Sequence, residues 1–433
     1  MIKILGVIGG AESGVGAALL AKENGWEVFV SDFGMIAEDY KKELEENEIA
    51  FEEGGHTEER LLKADMIVKS PGVPEKAPII KMIREKDIPI ISEIDFASRY
   101  YSGQIIAVTG SNGKTTTASL IHHILITAGL KAILAGNIGT SFSRAIINTE
   151  INLAVIEVSS FQLDDLLIFQ PKVAVITNVT PDHLDRYDYS FDKYAEAKFK
   201  ITEYQKAGDI LIYNASDKKS MDLVKHVSPE IKKLSVALAD LDEILAKPNG
   251  KLCTLNLLGT HNRFNAAMAV FAARAIEVSK ENIIKGVESF DAIEHRLEMV
   301  DVIDGVTYIN DSKATNVDSA YFALEGIYAD VLWIVGGVDK GNDYTSVNDL
   351  VKEKVKEIIV LSKHPEKIQE AFGSFNIPIS QFQNTKDAVE YAKNHSENGD
   401  FVLLSPACAS FDLFDDYEQR GNIFKEEVLK LRN

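Results

Sequence analysis

The sequence predicts an α/β protein made of three successive units, each built on a mostly parallel sheet. Short runs rich in valine and isoleucine alternate with longer segments of helical period, which is typical of buried parallel strands joined by helices. Glycine-rich turns after Ile8, Thr109 and Val335 each restart this pattern. A chain of 433 residues also favours two to four domains, at roughly 100 to 200 residues per domain.

Eleven strands are expected along the chain. They are predicted at residues 2–8, 27–31, 66–70, 104–109, 153–158, 173–178, 210–213, 307–310, 331–336, 357–361 and 401–404. Domain boundaries are expected near residues 92–103 and 294–300. The sequence has no proline-rich linker or low-complexity tract, so short joints between the units are predicted.

Composition and charge exclude several classes of protein. The 46 Lys and Arg residues against 66 Asp and Glu residues give a net charge of -20, which repels nucleic-acid phosphate and anionic lipid. Cys253 and Cys408 are too few for a disulfide framework or a cysteine-built zinc site, which is typical of a reducing compartment. The apolar start is too short for a signal peptide, and no run reaches the roughly 18 apolar residues of a membrane helix. A cytoplasmic protein without membrane insertion or a nucleic-acid partner is therefore expected.

The turn after the strand at 104–109 carries the most specific motif. It reads Gly110, Ser111, Asn112, Gly113, Lys114, Thr115 and Thr116, with a helix predicted to follow. Glycines let backbone N–H groups converge on phosphate oxygens, while Lys114 reaches the terminal phosphates and the Thr115 hydroxyl can bind Mg²⁺. Val108 stands where the usual P-loop has its first glycine, so this is a variant phosphate-binding loop.

The first glycine-rich turn, at residues 9–16, is similar to a dinucleotide-binding fingerprint in which Ala11 replaces the middle glycine. Asp32 closes the second predicted strand. Two interpretations stay open here, a loop that closes on a nucleotide pyrophosphate and a plain packing turn.

Two further strand ends carry side chains suited to metal binding. Glu157 and His183 lie at or just beyond the carboxyl ends of predicted parallel strands, the edge where open α/β sheets bind ligands. Glu157 with Thr115 suits a hard cation such as Mg²⁺, and His183 is a candidate for a second one. Lys198, in a predicted amphipathic helix, is by itself most simply interpreted as a surface lysine.

Taken together, these motifs resemble the Mur ligases of peptidoglycan synthesis, and the resemblance extends over nearly the whole chain. It is carried by residues 110–116, 157–162, 178–185, 259–265, 295–296 and 310–316. Within that family, residues 310–316, 405–412 and 417–421 are similar to the member that adds D-glutamate.

The resemblance implies three domains and an ATP-dependent amide ligase. It implies a Rossmann-like domain for a UDP-linked substrate at 1–95, a central P-loop ATPase-type domain at 96–296 and a Rossmann-like amino-acid domain at 297–433. ATP would phosphorylate the carboxylate of UDP-N-acetylmuramoyl-L-alanine, and the amine of D-glutamate would attack the acyl phosphate. The substrates are small molecules, and a monomer in the cytoplasm is expected.

The resemblance also implies roles for individual residues. Catalysis would involve Lys114, His183, Lys198 and Lys313. ATP would contact residues 110–116 together with Asn262, Asn265, Arg296 and Asp311. Two Mg²⁺ ions would be held by Thr115, Glu157, His183 and Lys198, the last as a carbamate derived from CO₂. The UDP-linked substrate would contact Ser13, Asp32, Ser70, Pro71, Gly72, Asn137 and His183. D-glutamate would contact Thr315, Lys340, Ser410 and Phe411.

Two features depart from the family pattern, and several alternatives stay open. Glu12 places an extra carboxylate in the pyrophosphate turn, and Phe33 and Gly34 follow Asp32 where polar contacts to uracil are commoner. Another Mur-type ligase or a folylpolyglutamate synthetase would share the ATPase core, although the long segment before the P-loop strand argues against the synthetase. A nicotinamide oxidoreductase leaves Lys114 unused, and a non-catalytic nucleotide sensor does not explain Glu157, His183 and Lys198.

Overall fold

The computed structural model describes residues 2–246, 253, 255, 257, 259–291, 293–339 and 341–432. In this part of the chain it contains three sheets, as the alternating pattern predicts. The chain forms two compact units, the first made of Met1–Thr254 with Phe264–Ser289 and the second of Leu255–Arg263 with Phe290–Asn433. The first unit holds two of the sheets and the second unit holds the third.

The first sheet has five parallel strands, each short and rich in aliphatic residues. They are β1 Ile4–Ile8, β2 Glu27–Ser31, β3 Ala50–Glu52, β4 Met66–Lys69 and β5 Ile90–Ile91. The helices are α1 Glu12–Glu23, α2 Glu38–Glu46, α3 Glu58–Leu61, α4 Pro78–Glu85 and α5 Glu93–Ser98. The strand order is β3-β2-β1-β4-β5, so the order reverses between β1 and β4, and a ligand crevice is expected at the carboxyl ends of these two strands.

The second sheet has six parallel strands, and its centre is β6. The strands are β6 Gln104–Thr109, β7 Ile133–Gly136, β8 Leu153–Glu157, β9 Val173–Ile176, β10 Ile210–Asn214 and β11 Lys232–Val236. The helices are α6 Lys114–Thr127, α7 Phe142–Ile146, α8 Ser160–Leu163, α9 Phe191–Phe199, α10 Lys218–Leu223, α11 Leu238–Leu245, α12 Thr260–Ala275 and α13 Lys280–Glu288. The order β11-β10-β9-β6-β8-β7 makes β8 and β9 the two neighbours of β6, so their carboxyl ends meet at one edge.

The third sheet has six strands, of which only the β12–β13 pair is antiparallel in the part of the chain described. The strands are β12 Glu298–Ile303, β13 Val306–Asn310, β14 Val331–Val335, β15 Val355–Leu361, β16 Ile379–Phe382 and β17 Phe401–Leu404. The helices are α14 Val317–Glu325, α15 Asn348–Lys354, α16 Glu366–Phe372, α17 Thr385–His395 and α18 Tyr417–Lys430. Alternate residues of the strands enter two apolar clusters, one on each face of the sheet.

All eleven predicted strands are present, with ends displaced by at most two residues. The structure adds β3, β5, β7, β11, β12 and β16, which were not predicted. No helix in the described ranges has both the length and the apolar character needed to cross a bilayer.

Within the first unit, the first and second sheets share one apolar core. Phe96 of α5 and Phe142 of α7 are both fully buried in it, together with strand residues such as Val7 and Ile156. Asp95 reinforces this junction, because its buried Oδ1 accepts hydrogen bonds from the backbone N–H groups of residues 167, 168 and 169 at 2.7 to 2.9 Å.

Replacing Asp95 by alanine is expected to lower the free energy of unfolding of the first unit by about 3 to 5 kcal/mol, because the buried carboxylate that accepts from three successive backbone N–H groups is removed. Urea unfolding followed by circular dichroism measures this change. Asp95→Asn keeps one acceptor oxygen, so its loss of unfolding free energy should be smaller. Asp222→Ala removes an exposed ion pair with Lys225 and should leave the midpoint of the urea transition unchanged. An unchanged transition for Asp95→Ala would contradict the role given to this carboxylate.

Candidate active site

The loop between β6 and α6 is shaped by two glycines. Gly113 has a φ of +80°, and a Cβ there would lie 2.1 Å from Oδ1 of Asn265. Gly110 has a φ of +150°, and a Cβ there would lie 1.9 Å from Oγ1 of Thr177. Side chains are therefore excluded at both positions, which keeps the loop tight above the N-terminus of α6, where the helix dipole favours an anion.

The loop is also tied to the segment that follows β9. The N–H of Asn112 donates to Oδ1 of Asn178 at 3.0 Å, and Nδ2 of Asn178 donates back to the Asn112 carbonyl at 3.0 Å. The Ser111 hydroxyl donates to the Thr180 carbonyl at 2.7 Å. These bonds fix the loop against the segment that leads to His183.

Two lysines converge on the same backbone carbonyl of this loop. Nζ of Lys114 donates to the carbonyls of Gly110 and Ser111 at 2.9 and 2.8 Å, and Nζ of Lys198 donates to the Gly110 carbonyl at 2.7 Å. Lys114 is partly buried, whereas the Lys198 residue is only 2% exposed. The interpretation of Lys198 as a surface lysine is therefore wrong, because α9 turns this residue toward the loop.

The environment of Lys198 favours the neutral amine. Burial lowers the pKa of Lys198 well below that of an ordinary lysine, and the nearby Lys114 ammonium lowers it further, against the opposing effect of Asp182 and Glu157. The amine also lies over the Tyr194 ring, 4.5 Å from its centroid. A neutral buried amine is a nucleophile, and this is the form that reacts with electrophiles such as CO₂.

Glu157 ends β8, beside the loop, and is buried. Its Oε1 accepts a hydrogen bond from Nδ2 of Asn137 at 2.8 Å, while its buried Oε2 has no hydrogen-bond partner in the described part of the chain. A buried carboxylate oxygen without a partner is costly, so Oε2 is a candidate ligand for a cation.

His183 follows β9, on the other side of β6 from Glu157, and is much more exposed to solvent. Its side chain is 45% exposed, its Nε2 lies 3.6 Å from Oδ2 of Asp182, and its ring meets the edge of Phe161 at 5.2 Å. The backbone of His183 has a positive φ of 50° at the start of the short 3₁₀ helix Leu184–Tyr187.

Thr115, Glu157 and His183 are the candidate ligands for Mg²⁺ at this site. The described residues contain no group of three His, Cys, Asp or Glu side chains close enough to hold a metal by themselves. Mg²⁺ is commonly held by one or two protein oxygens together with substrate phosphates and water, so Thr115 and the Oε2 atom of Glu157 fit one such ion beside a phosphate loop. A second ion would need another anion near His183.

The first sheet carries a cavity of about 720 Å³ at the point where its strand order reverses. Five of the residues predicted for the UDP-linked substrate line it, namely Ser13, Asp32, Ser70, Pro71 and Gly72. The carboxylate of Asp32 accepts hydrogen bonds from the backbone N–H groups of Gly10 and Gly34 at 2.6 and 2.8 Å. Phe33, His56, Ile79 and Met82 also line the cavity, and the last three had no signal in the sequence.

The extra carboxylate of Glu12 is engaged by groups outside the first turn. It accepts hydrogen bonds from the N–H and hydroxyl of Ser141 at 2.8 and 2.9 Å and from Nε of Arg144 at 3.0 Å. Burial alone would raise the pKa of Glu12, but these hydrogen bonds outweigh burial and the pKa is lowered. Its charge is therefore paired with Arg144.

Three residues predicted for the nucleotide belong to the second unit, whereas the loop at 110–116 belongs to the first. They are Asn262, Arg296 and Asp311. Asp311 is buried, its Oδ2 accepts from the Ser405 hydroxyl at 2.8 Å, and its Oδ1 accepts from the Leu297 N–H at 3.2 Å. Burial raises the pKa of Asp311 to about 7, against the opposing effect of its hydrogen bonds with Ser405 and Leu297. Asn265 belongs to the first unit and packs on Gly113.

The residues predicted for D-glutamate lie on turns of the third sheet. Lys313 donates to the Tyr417 hydroxyl at 2.9 Å, a contact that was not predicted, and the Thr315 N–H donates to the Lys313 carbonyl. Ser410 is buried, whereas Phe411 is 71% exposed. Lys340 lies outside the described residues.

Comparison with known domain families covers most of the chain. The family described as MurD N-terminal domain matches residues 3–79, the Mur ligase middle domain matches residues 108–273, and the Mur ligase glutamate ligase domain matches residues 295–408.

Full-length relatives agree with these matches. The UDP-N-acetylmuramoylalanine--D-glutamate ligase of Christiangramia forsetii is 44% identical over 100% of both chains, and that of Bacteroides fragilis is 46% identical over 99% of this chain and 100% of the relative. The solved structure of MurF ligase from Thermotoga maritima in complex with ADP has a TM-score of 0.63 at 16% identity, covering 93% of this chain and 95% of that chain. The last similarity concerns the fold alone.

Proposed function

Because the chain belongs to the Mur ligase family, we propose that it is the ligase that joins D-glutamate to UDP-N-acetylmuramoyl-L-alanine with ATP, through an acyl phosphate. The product is a precursor of the peptidoglycan that gives a cell wall its shape and supports cell division. Relatives named UDP-N-acetylmuramoylalanine--D-glutamate ligase match the chain over 99 to 100% of its length, and the family matched at residues 3–79 is the MurD N-terminal domain.

The observation that carries the proposal is the arrangement around the Gly110 carbonyl. Lys114 and the buried Lys198 both donate to this oxygen, and the buried Glu157 ends the neighbouring strand. Binding a dinucleotide does not require two lysines at a phosphate loop, nor a buried carboxylate oxygen that has no hydrogen-bond partner among the described residues. Phosphoryl transfer needs such a set, because it depends on positioning and on neutralisation of phosphate charge.

Each group has a defined task in this proposal. The loop at 110–116 and the N-terminus of α6 hold the ATP phosphates, and Lys114 exchanges its bonds to the loop carbonyls for the terminal phosphates. Glu157 and Thr115 are the proposed ligands of the first Mg²⁺, and His183 of the second. When bound, these ions neutralise the charge of the transferring phosphoryl group.

Lys198 is proposed to act as a carbamate. A neutral amine adds to CO₂ and loses a proton, and the lowered pKa of Lys198, caused mainly by burial, favours that form. The modification turns a cation into an anion with two oxygen atoms, which is the additional anion that a second divalent cation requires.

The cavity of the first sheet is the proposed site of the UDP end of the substrate. Its lining by Ser13, Asp32 and residues 70–72 supports this assignment. Asn137 and His183 would contact the muramoyl end, and the hydrogen bond from Asn137 to Glu157, a proposed Mg²⁺ ligand, supports the place given to Asn137.

The remaining assignments concern the second unit and the whole molecule. The nucleotide is proposed to contact Asn262, Arg296 and Asp311 in addition to Asn265, and D-glutamate to contact Thr315, Lys340, Ser410 and Phe411, with Lys313 at the acyl phosphate. The domains are proposed at 1–95, 96–296 and 297–433. A monomer acting in the cytoplasm on small molecules is the proposed form.

Phosphate release measured with single components omitted tests the function. Release should require ATP, Mg²⁺, UDP-N-acetylmuramoyl-L-alanine and D-glutamate together. Equal turnover with L-glutamate, or turnover with a folate acceptor as for folylpolyglutamate synthetase, would contradict the proposal. Turnover with another nucleotide-linked acceptor and amino acid would indicate a different Mur-type ligase.

A further inference from the structure

Arg186 joins the rim of the cavity in the first sheet to the segment that follows β9. It lies in the 3₁₀ helix Leu184–Tyr187, three residues after His183, and is partly buried. Its Nη2 donates to the carbonyl of Pro71 at 3.1 Å and to the carbonyl of Val73 at 3.4 Å. Both of these residues line the cavity. One guanidinium therefore holds two backbone oxygens of the rim.

The same guanidinium packs on an aromatic cluster formed by Phe161, Tyr187 and His183. It lies over the Phe161 ring, 4.4 Å from the centroid, and Phe161 belongs to α8, just after Glu157. Phe161 in turn stacks on Tyr187 with centroids 6.0 Å apart and meets the edge of His183. A planar guanidinium can stack and donate at the same time, and a lysine ammonium cannot reproduce this combination.

We propose that Arg186 is a positioning residue that fixes the rim at residues 71–73 against the segment of Glu157 and His183. It thereby sets where the UDP-linked substrate is held relative to the reacting carboxylate. This inference rests on the proposed function, because it takes the cavity to be the UDP site. In a reaction between a tethered carboxylate and ATP, a small displacement of the tether carries a large cost in rate.

A second connection between the same two segments supplies a matched comparison. Lys76 pairs with Asp188 at 3.0 Å, but the two side chains are 77% and 57% exposed. Such a pair is screened by solvent and contributes little. Lys76 also lies outside the set of residues that line the cavity. If Arg186 positions the rim and Lys76 does not, replacing Arg186 should weaken UDP binding and replacing Lys76 should not.

Titration calorimetry with UDP on the full-length protein tests the inference without turnover. Arg186→Ala should weaken UDP binding by about 5- to 30-fold, since a rim that Arg186 no longer holds in place must be ordered when UDP binds. Arg186→Lys keeps the charge but loses the planar guanidinium, so its UDP affinity should lie between those of Arg186→Ala and the wild type. Lys76→Ala should bind UDP as the wild type does.

Steady-state kinetics separate positioning from a merely structural role. Positioning predicts that Arg186→Ala raises KM for the UDP-linked substrate by a similar factor and also lowers kcat, because the reacting carboxylate is displaced, while KM for ATP and the melting temperature change little. A structural role would lower the fraction of active enzyme, and hence kcat, with KM and UDP affinity unchanged.

The outcomes distinguish this inference from the proposed function. UDP affinity equal in the wild type and both Arg186 variants would overturn the inference alone. A wild-type protein that binds no UDP would overturn the assignment of the cavity, and the inference with it. If Arg186→Ala does not fold, Arg186→Lys decides, and wild-type KM and affinity in that variant would overturn the proposal.

Discussion

Replacing Lys198 by alanine is expected to lower turnover by about 1,000-fold, the upper end of the range for removing one preorganised group that stabilises a transition state. The loss is expected because Lys198 is buried against the Gly110 carbonyl, where its carbamate would neighbour the second cation. Phosphate release under saturating substrates measures the effect. Lys193→Ala, an exposed position on the same helix, serves as the matched control and should retain full activity.

Small carboxylic acids should partly restore the Lys198→Ala variant. The truncated side chain leaves room for a carboxylate, which can take the place of the carbamate oxygens. Mass spectrometry of the intact wild-type protein in bicarbonate, at mildly alkaline pH, should show the adduct of one CO₂ and lose it on acidification. Full activity of Lys198→Ala would refute the assignment of this lysine to the site.

The second large effect is expected for Glu157→Gln, with a fall of about 100- to 1,000-fold in kcat. The substitution keeps an oxygen that can accept from Asn137, but it removes the charge of the buried Oε2 atom. Because that charge is the proposed ligand of the first Mg²⁺, the Mg²⁺ concentration for half-maximal rate should rise as well. Rates measured across a Mg²⁺ titration give both numbers.

Glu150→Gln is the appropriate comparison, since Glu150 is exposed and lies in the segment just before β8. It should show the wild-type rate and Mg²⁺ dependence. A Glu157→Gln variant with reduced kcat but an unchanged Mg²⁺ titration would separate this carboxylate from the metal and assign it to the substrate instead.

The strands that sequence reasoning missed share one property, their position in the sheets. β3, β5, β7, β11, β12 and β16 are the six outer strands of the three sheets, in the part of the chain described, and all the predicted strands are inner ones. Inner strands of parallel sheets are buried on both faces and appear as continuous apolar runs. Outer strands such as β11, with its two leading lysines, are half exposed and lose this signal.

Sequence motifs predicted the parts of the site that are formed by loops and strand ends. The loop at 110–116 and the end of β8 are visible in the sequence because glycine turns and buried strands have local patterns. The burial of Lys198 was not predictable from its helix, since α9 carries lysines at 193 and 198 and is followed by Lys200, and only tertiary packing determines which of them is buried. Contacts such as Arg186 with Pro71, or Lys313 with Tyr417, join residues more than 100 positions apart and leave no local signal.

In the proposed reaction, ATP phosphorylates the substrate carboxylate before D-glutamate attacks. UDP-N-acetylmuramoyl-L-alanine labelled with ¹⁸O in its free carboxylate tests this directly, by mass spectrometry of the released phosphate. If an acyl phosphate forms, one labelled oxygen leaves with the phosphate in every turnover that D-glutamate completes. Unlabelled phosphate, released together with the amide product, would contradict an acyl-phosphate intermediate.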